Sequence, residues 1–176
     1  HSHTMFAIRC TRKLLMRGAP DVLELPRPPT TVLGDWYANI LFARPVHLVL
    51  ALSERSLLPV VVPAKDVKRL PDRVARAAQD MLRAIGIPEE QVATETLAMS
   101  EGYLAVTSNR KVLGSLNDFV FHLELSLQDR PNWELHEHAR QLAEMPSGAI
   151  DYAFPSESTR ALFASSRAIQ AAKGAA

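Results

Sequence analysis

The sequence predicts an α+β domain in which a small, mainly antiparallel sheet of three to four strands packs against five or six helices. The predicted order is strand, helix, hairpin, two helices, strand and then further helices, which is typical of the α+β class. Two apolar segments joined by a short polar turn predict the hairpin. The chain has 176 residues, of which 47% are hydrophobic and 22% charged, so it can form a hydrophobic core.

The first part of the chain is expected to hold one strand and one short helix. Residues 6–11 alternate apolar and polar side chains, as a half-buried strand does. Several prolines make residues 20–31 extended or irregular. A short helix should follow, with Asp35 as its N-cap, an apolar face that includes Trp36, and Pro45 at its end.

The middle of the chain predicts a hairpin, two helices and another strand. Residues 46–52 and 57–62 are rich in valine and leucine, as strands often are. Pro59 marks the second of these segments as an edge strand or a bulge. The elements that follow are a helix that starts at Pro71 and Asp72, runs to Ile85 and stops at Gly86, then a helix over residues 88–99 and a strand over residues 103–107.

A long helix that begins after Asn109 is the most apolar of the predicted helices. Asn109 is a suitable N-cap because its side-chain oxygen can accept hydrogen bonds from the free amides that follow it. Apolar residues occupy most of the circumference, so we expect this helix to lie inside the domain. Its remaining polar line consists of Lys111, Ser115, Asp118, His122, Ser126 and Asp129.

One domain is expected over residues 5–155. Residues 1–4 resemble a cloning remnant and are left out of the fold prediction. A further helix is expected over residues 133–145, before a turn that contains proline and glycine. Residues 156–176 are expected to form a C-terminal helix with a frayed, alanine-rich tail.

The candidate ligand-binding residues are basic, amide and aromatic side chains. Basic residues near the first strand and at the start of the long helix suit a polyanion, because positive charge and free helix amides both attract anions. We therefore expect a binding or regulatory module for a polyanion such as nucleic acid, with an ordinary solvated surface as the alternative. The basic candidates are Arg9, Arg12, Lys13, Arg110 and Lys111, and the others are Trp36, Asn39, Asn109 and Asn117.

A second hypothesis is a hydrolase or nuclease that uses acidic residues and one histidine as its catalytic group. Asp118 and His122 are four positions apart, so their side chains can meet on a helix, and a carboxylate orients an imidazole as a general base. Asp35 and Glu54 would have to join them in one cleft. The alternatives are a solvated helix face with exposed turn charges, and a domain that only binds a partner protein.

Composition and missing motifs exclude several other classes. A net charge of +1 argues against a uniformly basic nucleic-acid-binding surface, although it permits a local basic patch. Cys10 is the only cysteine, so no internal disulfide can form and a cytoplasmic location is expected. No segment approaches the roughly 20 apolar residues that cross a membrane, so no membrane partner is expected. Without a glycine-rich phosphate loop or a CxxC, HExxH or GxSxG motif, we expect no cofactor and no metal site.

Five short segments are distinctive in combination: residues 10–15, 33–39, 54–58, 109–119 and 145–149. Together they resemble an uncharacterised family of bacterial proteins, a domain of unknown function. The resemblance runs from Met5 to about Pro155. Because that family has no established activity, the resemblance implies no cofactor and no catalytic residue.

Overall fold

The structure, a computed structural model, describes residues 5–18, 21–23 and 26–175. Within these ranges, a five-stranded sheet with the order β4-β3-β2-β1-β5 packs against six α-helices. The strands are β1 (Phe6–Cys10), β2 (Trp36–Ala43), β3 (Val46–Ser53), β4 (Pro59–Pro63) and β5 (Gly102–Val106). The helices are α1 (Arg12–Leu15), α2 (Leu70–Ala84), α3 (Glu89–Ala98), α4 (Arg110–Asp129), α5 (Leu135–Leu142) and α6 (Pro155–Gly174), with 3-10 helices at Val67–Arg69 and Gly148–Ile150.

The sheet is mixed, with a parallel half and an antiparallel half. Strand β1 lies between β2 and β5 and pairs with both in parallel. Strands β2, β3 and β4 pair in antiparallel order. The α+β class is therefore confirmed, but the expected mainly antiparallel sheet of three to four strands is wrong. The difference has two causes. Strand β2 was not predicted, and β1 pairs with two strands from distant parts of the chain.

Strand β2 occupies the segment for which the sequence predicted a short helix. All eight of its residues pair with β3, from Trp36 opposite Ser53 to Ala43 opposite Val46. Most of its side chains are buried, on whichever face of the sheet they lie. An uninterrupted apolar segment suits a strand that is covered on both faces, and helical spacing alone does not distinguish the two. The helix prediction is wrong, and Asp35 caps no helix.

The predicted hairpin is confirmed as β3 and β4. Strand β4 contains Pro59 and forms one edge of the sheet, where a residue without an amide proton is tolerated. Helix α2 carries Pro71 in its first turn and is followed by Gly86, whose φ of +86° favours glycine. Helix α3 and strand β5 also lie where the sequence predicted them.

The helices pack on the sheet and on one another. Helix α2 contacts β1, β4 and β5, helix α4 contacts β2 and β3, and helix α5 contacts β4 and α4. The first half of α6 packs against the domain, where the Thr159 hydroxyl donates to Ser56 Oγ at 2.8 Å. On the same helix, the backbone oxygen of Phe163 accepts from Gln91 Nε2 at 2.8 Å. Helix α6 extends to Gly174, through most of the alanine-rich segment that was expected to fray.

Helix α4 is amphipathic rather than interior. Asn109 Oδ1 accepts hydrogen bonds from the amides of Lys111 at 2.9 Å and Val112 at 3.2 Å, which confirms the predicted N-cap. The side chains of Phe121 and Leu125, however, are 59% and 43% exposed. The expected interior position is wrong because the sheet covers only one side of the helix. The polar line is split accordingly, since its two serines are buried and its other members are exposed.

We expect the substitution Asn109→Ala to lower the free energy of unfolding by about 1 kcal/mol, because two helix amides lose their acceptor. Urea denaturation measures this loss. Asn117→Ala is the matched control, since Asn117 lies exposed on the same helix and caps nothing. An equal loss in both variants would contradict the capping role.

Candidate functional site

The carboxyl-terminal ends of β1 and β5 lie side by side. Cys10 at the end of β1 pairs with Val106 at the end of β5, and helices α1 and α4 begin shortly after these two residues. The basic side chains that open the two helices therefore share one end of the sheet. Ligands of sheets with parallel strands commonly bind at the carboxyl ends of those strands.

The same end of the sheet also receives the β2–β3 turn and the end of β4. Because β2 runs parallel to β1, its last residues lie at this end, and antiparallel pairing brings the start of β3 and the end of β4 there too. We call this region the basic end. Its exposed cations are Arg12, Lys13, Arg17, Arg44, Lys65, Lys68, Arg69, Arg110 and Lys111. In the connecting segments that carry them (residues 11–18, 44–45, 64–69 and 107–111), the only carboxylate is Asp66.

A cleft of about 530 Å³ opens at the β4 side of the basic end. Arg17, Lys65 and Lys68 line it together with Asp66. The Asp66 carboxylate lies 3.6 Å from Arg69 Nε, so its charge is partly balanced outside the cleft. Three cations around one concave surface are suited to phosphate groups.

Arg9 links the two parallel strands beside the basic end. Its Nε donates to Asp35 Oδ2 at 3.0 Å, and its Nη1 donates to the Val106 oxygen at 3.2 Å and to Ser108 Oγ at 3.3 Å. The side chain is 16% exposed, and its guanidinium lies 5.9 Å from the centre of the Tyr37 ring. Arg9 is therefore held in place rather than free to follow a ligand.

Tyr37 fixes the start of helix α4 relative to β2. Its hydroxyl accepts from the Asn109 amide at 3.1 Å and lies 3.4 Å from Ser108 Oγ. The local sequence did not indicate this role for Tyr37, because its contact with Asn109 depends on the pairing of β1 with both β2 and β5.

The acidic candidates Asp35 and Glu54 contact each other. Asp35 is buried, and its Oδ1 accepts from the Ala7 amide at 2.8 Å. Glu54 Oε1 accepts a hydrogen bond from the backbone amide of Asp35 at 3.1 Å. The backbone amide of Glu54 in turn donates to the backbone oxygen of Asp35 at 2.9 Å. Partial burial raises the pKa of the Glu54 carboxyl above its ordinary value, and the Asp35 amide opposes this. Asp35 directly precedes β2 and Glu54 directly follows β3, and Arg9 connects the Asp35 carboxylate to the Val106 oxygen at the end of β5.

Asp118, His122 and Asn117 lie exposed on α4, and no hydrogen bond joins Asp118 to His122 within the described ranges. Five clefts on the surface of the described residues are lined by none of the candidate catalytic residues. In the same part of the chain, no group of three or more His, Cys, Asp or Glu side chains could hold a metal ion.

The remaining candidates have structural contacts. Trp36 is fully buried. Asn39 Oδ1 accepts from Thr11 Oγ1 at 2.6 Å and from the Ile40 amide at 2.8 Å, which ties β2 to the start of α1. Burial raises the pKa of the Cys10 thiol to about 12, so the thiolate required for nucleophilic attack is scarce at neutral pH.

Sheet topology and charge together define an α+β domain with a basic end. The sequence matches the family model described as Domain of unknown function (DUF6933) over residues 7–158, and the chain belongs to this family. No curated protein and no solved structure matches the chain. Among the described helices, none has the length and apolar character needed to cross a membrane.

Proposed function

We propose that this domain binds a polyanion, with nucleic acid as its ligand, through the basic end of the sheet. The gathering of cations from four separate connecting segments carries the proposal. These segments are distant from one another in sequence. The pairing of β1 with β5 and of β3 with β4 brings them to the same end of the sheet.

Local charge, rather than net charge, determines such binding. Cations that neutralise phosphates release condensed counterions, and this release drives association without reading base sequence. The net charge of +1 is compatible with this role because acidic residues are nearly absent from the connecting segments at this end. Exposed charges that lie more than the Debye length of about 8 Å from a bound phosphate are largely screened.

The geometry supports binding better than hydrolysis. A hydrolase requires its acid, base and nucleophile to surround one reacting atom. Here the Asp35 carboxylate is occupied by the Ala7 amide and by Arg9, whereas Asp118 and His122 lie exposed on another element. The cations of the basic end, by contrast, are exposed and include three that line one cleft.

The test removes four cations from the basic end and measures the affinity for a fluorescent mixed-sequence oligonucleotide by anisotropy. We expect the affinity to fall about tenfold or more, and the slope of log K against log salt to become shallower by up to about 3, because each lost phosphate contact contributes about 0.7–0.9 to that slope. The substitutions to alanine are made together at Arg12, Lys13, Arg110 and Lys111.

A control variant loses the same charge elsewhere. It carries alanine at the exposed residues Arg76, Arg140, Arg167 and Lys173, which lie on helices α2, α5 and α6. We expect it to retain most of the affinity. Absence of binding by the unmodified protein, or an equal loss in both variants, would overturn the proposed function.

A further inference from the structure

The tip of the β2–β3 hairpin presents an exposed aromatic ring within the basic end. Phe42, the second-last residue of β2, is 53% exposed and pairs across the hairpin with His47. The two ring centres are 4.7 Å apart, with 36° between the ring planes. The Phe42 ring is thus supported on one side and open to solvent on the other. On a surface that binds phosphates, such a ring is suited to stack a nucleobase.

A cleft of about 440 Å³ lies between this hairpin tip and the last turns of α4. Phe42, Leu127 and Pro131 form apolar parts of its lining. Gln128 can donate and accept hydrogen bonds, and Glu124 can accept them, as base edges require. The positive charge of Arg44 at the rim suits the phosphate that accompanies a bound base.

His47 lies between this hairpin-tip cleft and the cation-lined cleft on the β4 side. His47 touches the Phe42 ring, and its Nδ1 lies 3.5 Å from Arg17 Nη2. Arg17 lines the second cleft together with Lys65 and Lys68. An aromatic ring and a series of cations therefore follow one another across the surface. Proteins that bind single strands combine a basic groove with aromatic rings in this way.

We propose that the ligand is a single-stranded nucleic acid, with one base stacked on Phe42 in the hairpin-tip cleft and the adjoining phosphates directed past Arg44 and Arg17 towards Lys65 and Lys68. This inference rests on the proposed function and adds the class of nucleic acid and a base-contacting residue. A duplex does not fit the arrangement, because its bases are stacked on one another and cannot offer a face to a protein ring without flipping out.

The test compares Phe42→Ala with Phe42→Tyr, using single-stranded and duplex oligonucleotides of the same sequence. We expect Phe42→Ala to weaken single-strand binding by about 5-fold to 150-fold, which corresponds to the loss of one stacked base. Phe42→Tyr keeps the ring and should retain the affinity. Phe121→Ala is the matched control, since Phe121 is 59% exposed on α4 and lines none of the described clefts.

An abasic strand with the same number of phosphates isolates the stacking contact. The unmodified protein should bind it as weakly as Phe42→Ala binds the normal strand, and Phe42→Ala should cause no additional loss. Equal affinity for single strand and duplex, or no effect of Phe42→Ala on single-strand binding, would overturn this inference while polyanion binding stands. If the unmodified protein binds neither the single strand nor the duplex, both proposals are wrong.

Discussion

Replacing Asp35 with alanine is expected to lower the free energy of unfolding by about 3 kcal/mol. The carboxylate is 1% exposed and is the acceptor for both the Ala7 amide and Arg9 Nε. Its removal leaves a buried amide and a largely buried guanidinium without that partner, and breaking such a pair costs far more than breaking a surface ion pair. For a chain of this length the loss corresponds to a melting temperature lower by roughly 6–12 °C.

Asp118→Ala is the matched control for this prediction. Asp118 is exposed on α4, so its removal should change the free energy of unfolding by no more than about 0.5 kcal/mol. The double variant Arg9→Leu with Asp35→Leu separates the net contribution of the ion pair from the penalty of leaving Arg9 unpaired. Replacing both charged partners costs less than removing only one of them. A loss below about 1 kcal/mol for Asp35→Ala would show that the pair does not hold β1 to the start of β2.

The substitution Glu95→Ala is expected to destabilise the domain by about 2–4 kcal/mol. Glu95 lies on α3, is 2% exposed, and accepts from the amides of Val32 at 2.8 Å and Leu33 at 2.9 Å. Alanine leaves both amides without an acceptor in the segment that leads into β2. Urea denaturation measures the loss, and Glu90→Ala, an exposed position on the same helix, should cause almost none.

The pH dependence of stability provides a second measurement on Glu95. Burial raises the pKa of this carboxyl above its ordinary value of 4.5, although the two amides and Arg55 oppose the shift. The folded state therefore holds this proton more tightly than the unfolded state, so the contribution is full below pH 4.5 and declines as pH rises through the raised value. We expect the stability advantage of the unmodified protein over Glu95→Gln to shrink across that interval. A stability advantage that grows with pH would contradict the raised pKa of Glu95.

Local signals predicted several elements correctly. Pro71 and Gly86 bracket α2, Asn109 caps α4, and a short turn between two valine-rich segments gives the β3–β4 hairpin. Each of these features depends on residues that are near one another in sequence. Helix caps and tight turns are set by local backbone conformation, so they can be inferred without knowing the rest of the fold.

The incorrect predictions share a different origin. The segment from Trp36 to Leu41 is apolar at helical spacing and also apolar as a continuous strand, so only its partner β3 decides between the two. Similarly, the exposure of Phe121 and Leu125 depends on where the sheet ends, not on the apolar pattern of α4. Burial by a distant element cannot be deduced from periodicity alone.

The candidate site could be predicted only in part. The sequence identified Arg12, Lys13, Arg110 and Lys111, because they flank predicted elements. It did not identify Phe42, Arg44, Lys65 or Lys68 as site residues, because their proximity depends on the order of the strands in the sheet. The catalytic cleft proposed for Asp118, His122 and Asp35 stays a prediction. The exposed positions of Asp118 and His122 on α4 do not favour it.

The position of β1 between β2 and β5 sets an order on how the chain can fold during synthesis. Residues 6–10 leave the ribosome before the other strands of the sheet, yet one of their two pairing partners is residues 102–106. Contacts between such distant segments close a long loop and slow folding. The nascent β1 strand therefore has one unpaired side until β5 emerges, and during that interval it is open to other extended chains.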